Sequence, residues 1–267
     1  MRARSRFHPL AVMTVFSMSC APSPMCPADP ARIEALDAIE AVEAIERARQ
    51  LVLVTAPDWS STRATLRRYV RAEPGAAWSE QGAAYPVSLG RNGLGWGLGL
   101  HPPPGDEPQK REGDGRAPAG VFRLTRVFGY AGHDSAIART TRLPYLPVDA
   151  DTLCIDDPAS RHYNRIVDRR RLGTPDWSSH EDMRRRDGQY AIGVVVAHNA
   201  EPPEPGRGSC IFMHVWRAPG APTAGCTASS LDDMRALAAW LDASRQPLLV
   251  QLPDDEYRRR RDAWGLP

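Results

Sequence analysis

The chain has 267 residues, with 34 Lys and Arg against 32 Asp and Glu and a formal net charge of +2. So even a balance excludes the strongly basic character of a general nucleic-acid binder, and no nucleic acid is expected as a partner. The length is enough for one catalytic body with a full core and extensions. Almost every basic residue is Arg, and Lys110 is the single lysine.

Residues 1–20 begin with Arg2, Arg4 and Arg6, continue in an apolar stretch from Leu10 to Phe16 and close on Ser17-Met18-Ser19-Cys20. A basic start, a short apolar run and small residues before a cut describe an export signal, and the run is too short to be a transmembrane helix. The expected location is the periplasm or cell envelope. Lipidation of Cys20 is one route to membrane anchoring, and ordinary cleavage nearby is the alternative. The five cysteines, at 20, 26, 154, 210 and 226, leave one thiol over in an oxidising compartment. Cys226 is the candidate for it; Cys154 and Cys210, both in apolar runs, are either one disulfide or two buried thiols.

Residues 21–50 read as a Pro-rich linker followed by an amphipathic helix, in which Leu36, Ile39, Val42 and Ile45 recur every third position. Residues 51–253 read as the folded domain. Strands are predicted at 51–54, 65–70, 85–89, 121–124, 192–196, 210–215 and 248–252, with turn-rich or irregular segments between them. Ser230 is placed as the N-cap of one late helix, with Leu231, Met234, Leu237, Ala238 and Leu241 as its buried stripe. Many short strands with few helices predict a mainly β domain of sandwich type. Residues 254–267, with the run Arg258-Arg259-Arg260-Arg261, read as a solvated basic tail.

The chemistry concentrates at Ser209-Cys210-Ile211-Phe212-Met213-His214 and Thr223-Ala224-Gly225-Cys226-Thr227. A thiol needs a base or positive potential to become a thiolate, and His214 is the nearest imidazole in sequence. The helix after Ser230 adds a partial positive end, Gly225 lets backbone approach a carbonyl, and backbone N–H groups around Cys226 offer an oxyanion hole. His198 and Asn199 end the preceding strand and are candidates to orient His214 or substrate; a structural turn is the competing reading. A zinc site from His198, Cys210, His214 and Cys226 has the right residue types but none of the familiar ligand spacings.

Thr223-Ala224-Gly225-Cys226 behind a strand ending in His214 resembles the catalytic signature of the bacterial L,D-transpeptidases. Gly113-Asp114-Gly115-Arg116-Ala117-Pro118-Ala119-Gly120-Val121-Phe122 is similar to that family's upstream segment. The resemblance implies an L,D-transpeptidase-type β-sandwich over roughly residues 51–253 that works in the cell envelope on peptidoglycan stem peptides, with no metal or other cofactor. Cys226 is then the nucleophile and His214 its base, with Gly225, Thr223, His198 and Asn199 around oxyanion and substrate. Its product is a cross-link in cell wall biogenesis. Hydrolysis by the same pair, as a carboxypeptidase or endopeptidase, and a catalytically silent peptidoglycan-binding protein are the alternatives. Ala224 stands where many members carry a second His, and Thr227-Ala228-Ser229 where an Asn or Arg often follows the Cys. Asp156-Asp157, Tyr163-Asn164, Trp177 and His198-Asn199 are the candidates to replace those anchors.

Overall fold

The computed structural model describes residues 30–101, 105 and 108–267, with side chains from residue 39 onward. The export signal, Cys20, Cys26 and most of the linker lie outside the described residues.

The fold is mainly β, as the strand spacing predicts, and its large sheet closes on itself. Strand Gln50–Ala56 runs parallel to Leu248–Pro253, which pairs with the 13-residue strand Ala117–Gly129. The sheet continues through Ile192–Val196, Phe212–Val215, Thr227–Ser229, Tyr85–Ser88 and Arg63–Val70, and the last of these pairs back to Gln50–Ala56. Closure removes the open edges that a sandwich of short strands leaves unpaired. The strand predicted at 121–124 is longer than its apolar centre because small buried residues, Ala117, Ala119 and Gly120, extend it, and at Gly120 the His101 ring fills the space a Cβ would take.

Ser230 caps the helix Leu231–Trp240 by accepting from the Asp233 N–H, and Met234, Leu237 and Ala238 are its buried face. The N-terminal helix Pro30–Arg47 packs on the domain, but its buried residues are Ala41, Ala44 and Ile45, while Ile39 is 46% exposed. A period of three falls short of the helical 3.6, so a three-residue stripe winds away from the contact face. Buried Arg71 donates to the carbonyls of Ile45, Glu46 and Ala48, which satisfies the end of this helix.

The C-terminal residues depart from the solvated tail expected of them. Asp254–Arg260 is helical, Glu256 is fully buried against Arg259 and Arg260, and Trp264 and Leu266 enter the main core. Two apolar anchors beyond the arginine run hold the segment down. A second, three-stranded sheet pairs Thr152–Cys154 with Ile166–Asp168 and Glu181–Asp182, in a stretch that reads as irregular from sequence.

Candidate active site

Strands Phe212–Val215 and Thr227–Ser229 are parallel, with Met213 opposite Thr227 and His214 opposite Ala228. Side chains alternate between faces, so Phe212, His214 and Ala228 share one face, and Cys226, in the bend that leads into the second strand, sets its sulfur against the Phe212 backbone. Met213 belongs to the main core, whereas Phe212 and Cys226 lie in a second apolar cluster with Phe128, Tyr190, Cys154 and Cys210. The two residues that the sequence singles out thus stand at adjoining positions, His214 one residue after Met213 and Cys226 one residue before its partner Thr227.

The sulfur of Cys226 accepts from the Phe212 N–H at 3.3 Å and donates to the Cys210 carbonyl at 3.6 Å. Burial pushes its pKa up to about 12; the charge of Glu181 acts in the same direction, and the Phe212 N–H, Lys110 and Arg185 act against it. His214 Nδ1 lies 2.9 Å from the Val215 carbonyl, which can only accept, so Nδ1 carries the proton and Nε2 the lone pair. Burial also holds this imidazole down to about 4. The resting pair is therefore a neutral thiol beside a neutral imidazole. The helix end expected to help form a thiolate stands too far away: the strand Thr227–Ser229 intervenes, roughly 13 Å at about 3.3 Å per residue, and the dipole effect is confined to the first turn.

Thr223 shapes the loop that ends at Cys226. Its hydroxyl donates to the Cys226 carbonyl at 2.6 Å and accepts from the Gly225 N–H at 3.1 Å, while its backbone pairs with Leu89 and Arg91. A Cβ at Gly225 would meet the Arg116 carbonyl at 3.0 Å, so the loop runs against the upstream segment. That segment is organised by Asp114, which accepts from the Arg111 and Arg116 N–H groups and from buried Lys110 at 2.7 Å. The Cys226 N–H meets no acceptor among the described residues.

His198 and Asn199 are buried in a different network and are not brought to His214. The Leu98 N–H donates to His198 Nδ1 at 3.2 Å, and Nε2–H donates to the Arg207 carbonyl at 3.1 Å, which uses both nitrogens of the neutral ring. Asn199 ties down Glu204 and Gly208. Asn164 links both to the site: it donates to the His198 and Asn199 carbonyls and accepts from the Cys210 N–H at 2.9 Å. Asp157 is engaged by Ser178 and Ala159, and Trp177 meets His162 edge to face, both within the irregular segment.

Cys154 and Cys210 form a disulfide and Cys226 is a free, buried thiol. With the Cys210 sulfur so used, the four-residue zinc arrangement is not assembled; among the described residues no group of three or more His, Cys, Asp or Glu is placed to hold a metal ion. A cleft of about 860 Å³ runs beside the disulfide past Asn164, His198, Asn199 and Phe212, and neither Cys226 nor His214 lines it. Three polar groups of this region carry no sequence signal. Tyr190 donates to Glu181 and sets its ring 5.2 Å from that of His214; Glu112 accepts from Tyr163 and Ser209. They lie in segments without periodicity, and no local signal marks them.

The family model for the L,D-transpeptidase catalytic domain matches residues 76–250. Comparison with curated proteins gave no match, nor did comparison with solved structures. The matched span contains the Asp114 turn, the His214 strand and the Cys226 loop, the parts that meet around the thiol. The chain belongs to the L,D-transpeptidase catalytic domain family, and its function is of that kind, in peptidoglycan.

Proposed function

We propose that the protein is a peptidoglycan L,D-transpeptidase working through a thioester on Cys226. The observation that carries this reading is the pairing of two adjacent parallel strands, one bearing the His214 imidazole with its tautomer fixed by Val215, the other entered from the bend whose Cys226 thiol is held on the Phe212 N–H. His214 Nε2 takes the thiol proton as Sγ attacks the carbonyl of an L-centre that precedes a D-residue. The Cys226 N–H faces the oxyanion, and His214 returns the proton to the departing amine of the D-amino acid. The new S–C bond is a thioester. An amine acceptor resolves it to a cross-link, and water resolves it to a shortened stem peptide.

Because thiol and imidazole both rest neutral, proton transfer accompanies attack and awaits a bound carbonyl. The reaction belongs in the cell envelope, in keeping with the export signal read in residues 1–20 and with a disulfide of the kind that persists in oxidising compartments. The deep burial of the thiol, 7% exposed, favours one second reading, a peptidoglycan-binding envelope protein that no longer turns over. Mass spectrometry of sacculi treated with the protein separates the two. New cross-links or shortened stems that vanish with Cys226→Ala support the enzyme, and an unchanged digest supports the silent binder.

A further inference from the structure

We propose that Glu181 is a positioning residue of this site: held beside Cys226 by the Tyr190 hydroxyl, its carboxylate sets the pH at which the nucleophile forms. The inference rests on Cys226 being the nucleophile. Glu181 reaches the thiol from two directions. In the small sheet it stands opposite Cys154, whose disulfide partner Cys210 supplies the carbonyl to which the Cys226 thiol donates. Through its other oxygen contacts it receives the hydroxyl of buried Tyr190 at 2.5 Å, and the Tyr190 ring meets Phe212 at 5.5 Å and His214 at 5.2 Å. The carboxyl, the phenol, the imidazole and the thiol therefore form one contiguous cluster, of which the proton-transfer scheme uses only two members.

A negative charge in such surroundings disfavours a second one close by. Burial supplies the larger part of the rise in the thiol pKa, and Glu181 adds to it. The other charges facing the thiol are Lys110, which is paired with Asp114, and Arg185, which is paired with Asp187 at 2.6 Å and lies over the Tyr190 ring. Both oppose Glu181. Facing Glu181 itself are Asp156 and Glu112, which disfavour its charge, and Tyr190 and Arg185, which favour it; burial leaves its pKa raised. Glu181 and Cys226 thus titrate as a coupled pair, and the thiol stays protonated while the carboxylate is charged. A neutral resting thiol is also the form that resists oxidation outside the reducing cytosol.

The test is the pH dependence of iodoacetamide alkylation at Cys226, followed by intact mass on the wild type, Glu181→Gln and Glu181→Asp. Gln keeps an acceptor for Tyr190 and removes the charge, so its rate profile should move about one pH unit to the acid side, roughly tenfold faster alkylation at a fixed pH below the midpoint. Asp keeps the charge and should stay close to wild type. A Gln profile that superimposes on wild type, or an Asp profile displaced as far as that of Gln, overturns the proposal. Should Glu181→Gln fail to fold by circular dichroism, the wild-type protein labelled at the Glu carboxyl carbon decides. The Glu181 resonance must show an inflection where the thiol ionises, and its absence overturns the proposal. Alkylation reads ionisation without turnover, so a wrong assignment of Glu181 remains distinct from an inert Cys226, which appears as wild-type protein leaving the sacculi unchanged.

Discussion

The backbone N–H of Phe212 donates to the sulfur of Cys226 at 3.3 Å, across the register that sets His214 two residues further along the same face. One strand thus supplies both the His214 imidazole and the backbone group that holds the thiol. The Cys226 thiol, in the bend that leads into Thr227–Ser229, is held between the Phe212 N–H and the Cys210 carbonyl.

Cys226→Ala should abolish acyl transfer while leaving the fold intact. The substitution removes one sulfur from a well-packed cluster and should cost about 1–2 kcal/mol of stability. Thermal unfolding and the sacculus digest measure the two effects separately, and full turnover by the variant contradicts the mechanism.

His214 and His198 make stability fall with acidity in a defined window. Their folded pKa values are lowered by burial to about 4 and about 3 from an ordinary 6.5, so the unfolded chain binds more protons between those limits. The stabilisation is complete above pH 6.5 and is lost as pH falls from there through the folded values. Melting temperature should therefore drop on acidification through this range, and His214→Gln should flatten the slope. An identical slope in the variant contradicts the assignment of a buried neutral ring.

Asn164 is expected to matter to the site without touching substrate. It sits at φ +59° and connects the His198 and Asn199 carbonyls to the Cys210 N–H. Both Asn164→Gly and Asn164→Ala leave these groups without partners, at about 1–3 kcal/mol for buried ones, while only Ala adds backbone strain. Similar losses of stability in both, with Ala the worse by about 1 kcal/mol, are expected from chemical denaturation.

Non-reducing peptide mapping should find Cys154 joined to Cys210 and Cys226 free. Removing the bridge with Cys154→Ser and Cys210→Ser should cost about 2–4 kcal/mol and slow turnover, because the Cys210 carbonyl that receives the thiol is no longer anchored. Cys226 found in the stable bridge contradicts a resting nucleophile.

Much of this was legible locally. The strand at 192–196 and the Ser230-capped helix follow from runs, caps and alternation within a dozen residues. The thiol and imidazole stand out because their two motifs lie close in sequence. The Tyr190–Glu181 and Glu112–Tyr163 pairs join segments that have no periodicity, and only the closed sheet and the disulfide bring them together. His198 and Asn199 look like site residues because they end a strand beside the pair, yet their polar atoms are consumed by the turn they hold. The C-terminal arginines conceal Trp264 and Leu266, whose burial depends on a core assembled by the rest of the chain.

The central claim is that Cys226 forms an acyl-enzyme. A carbapenem presents a strained amide carbonyl to the same sulfur and backbone donor, and opening its ring leaves no group to depart, so the thioester should persist. Intact-mass analysis after exposure should show one drug adduct on the wild-type protein and none on Cys226→Ala, whereas an adduct on the variant, or none on the wild type after prolonged exposure, contradicts the account.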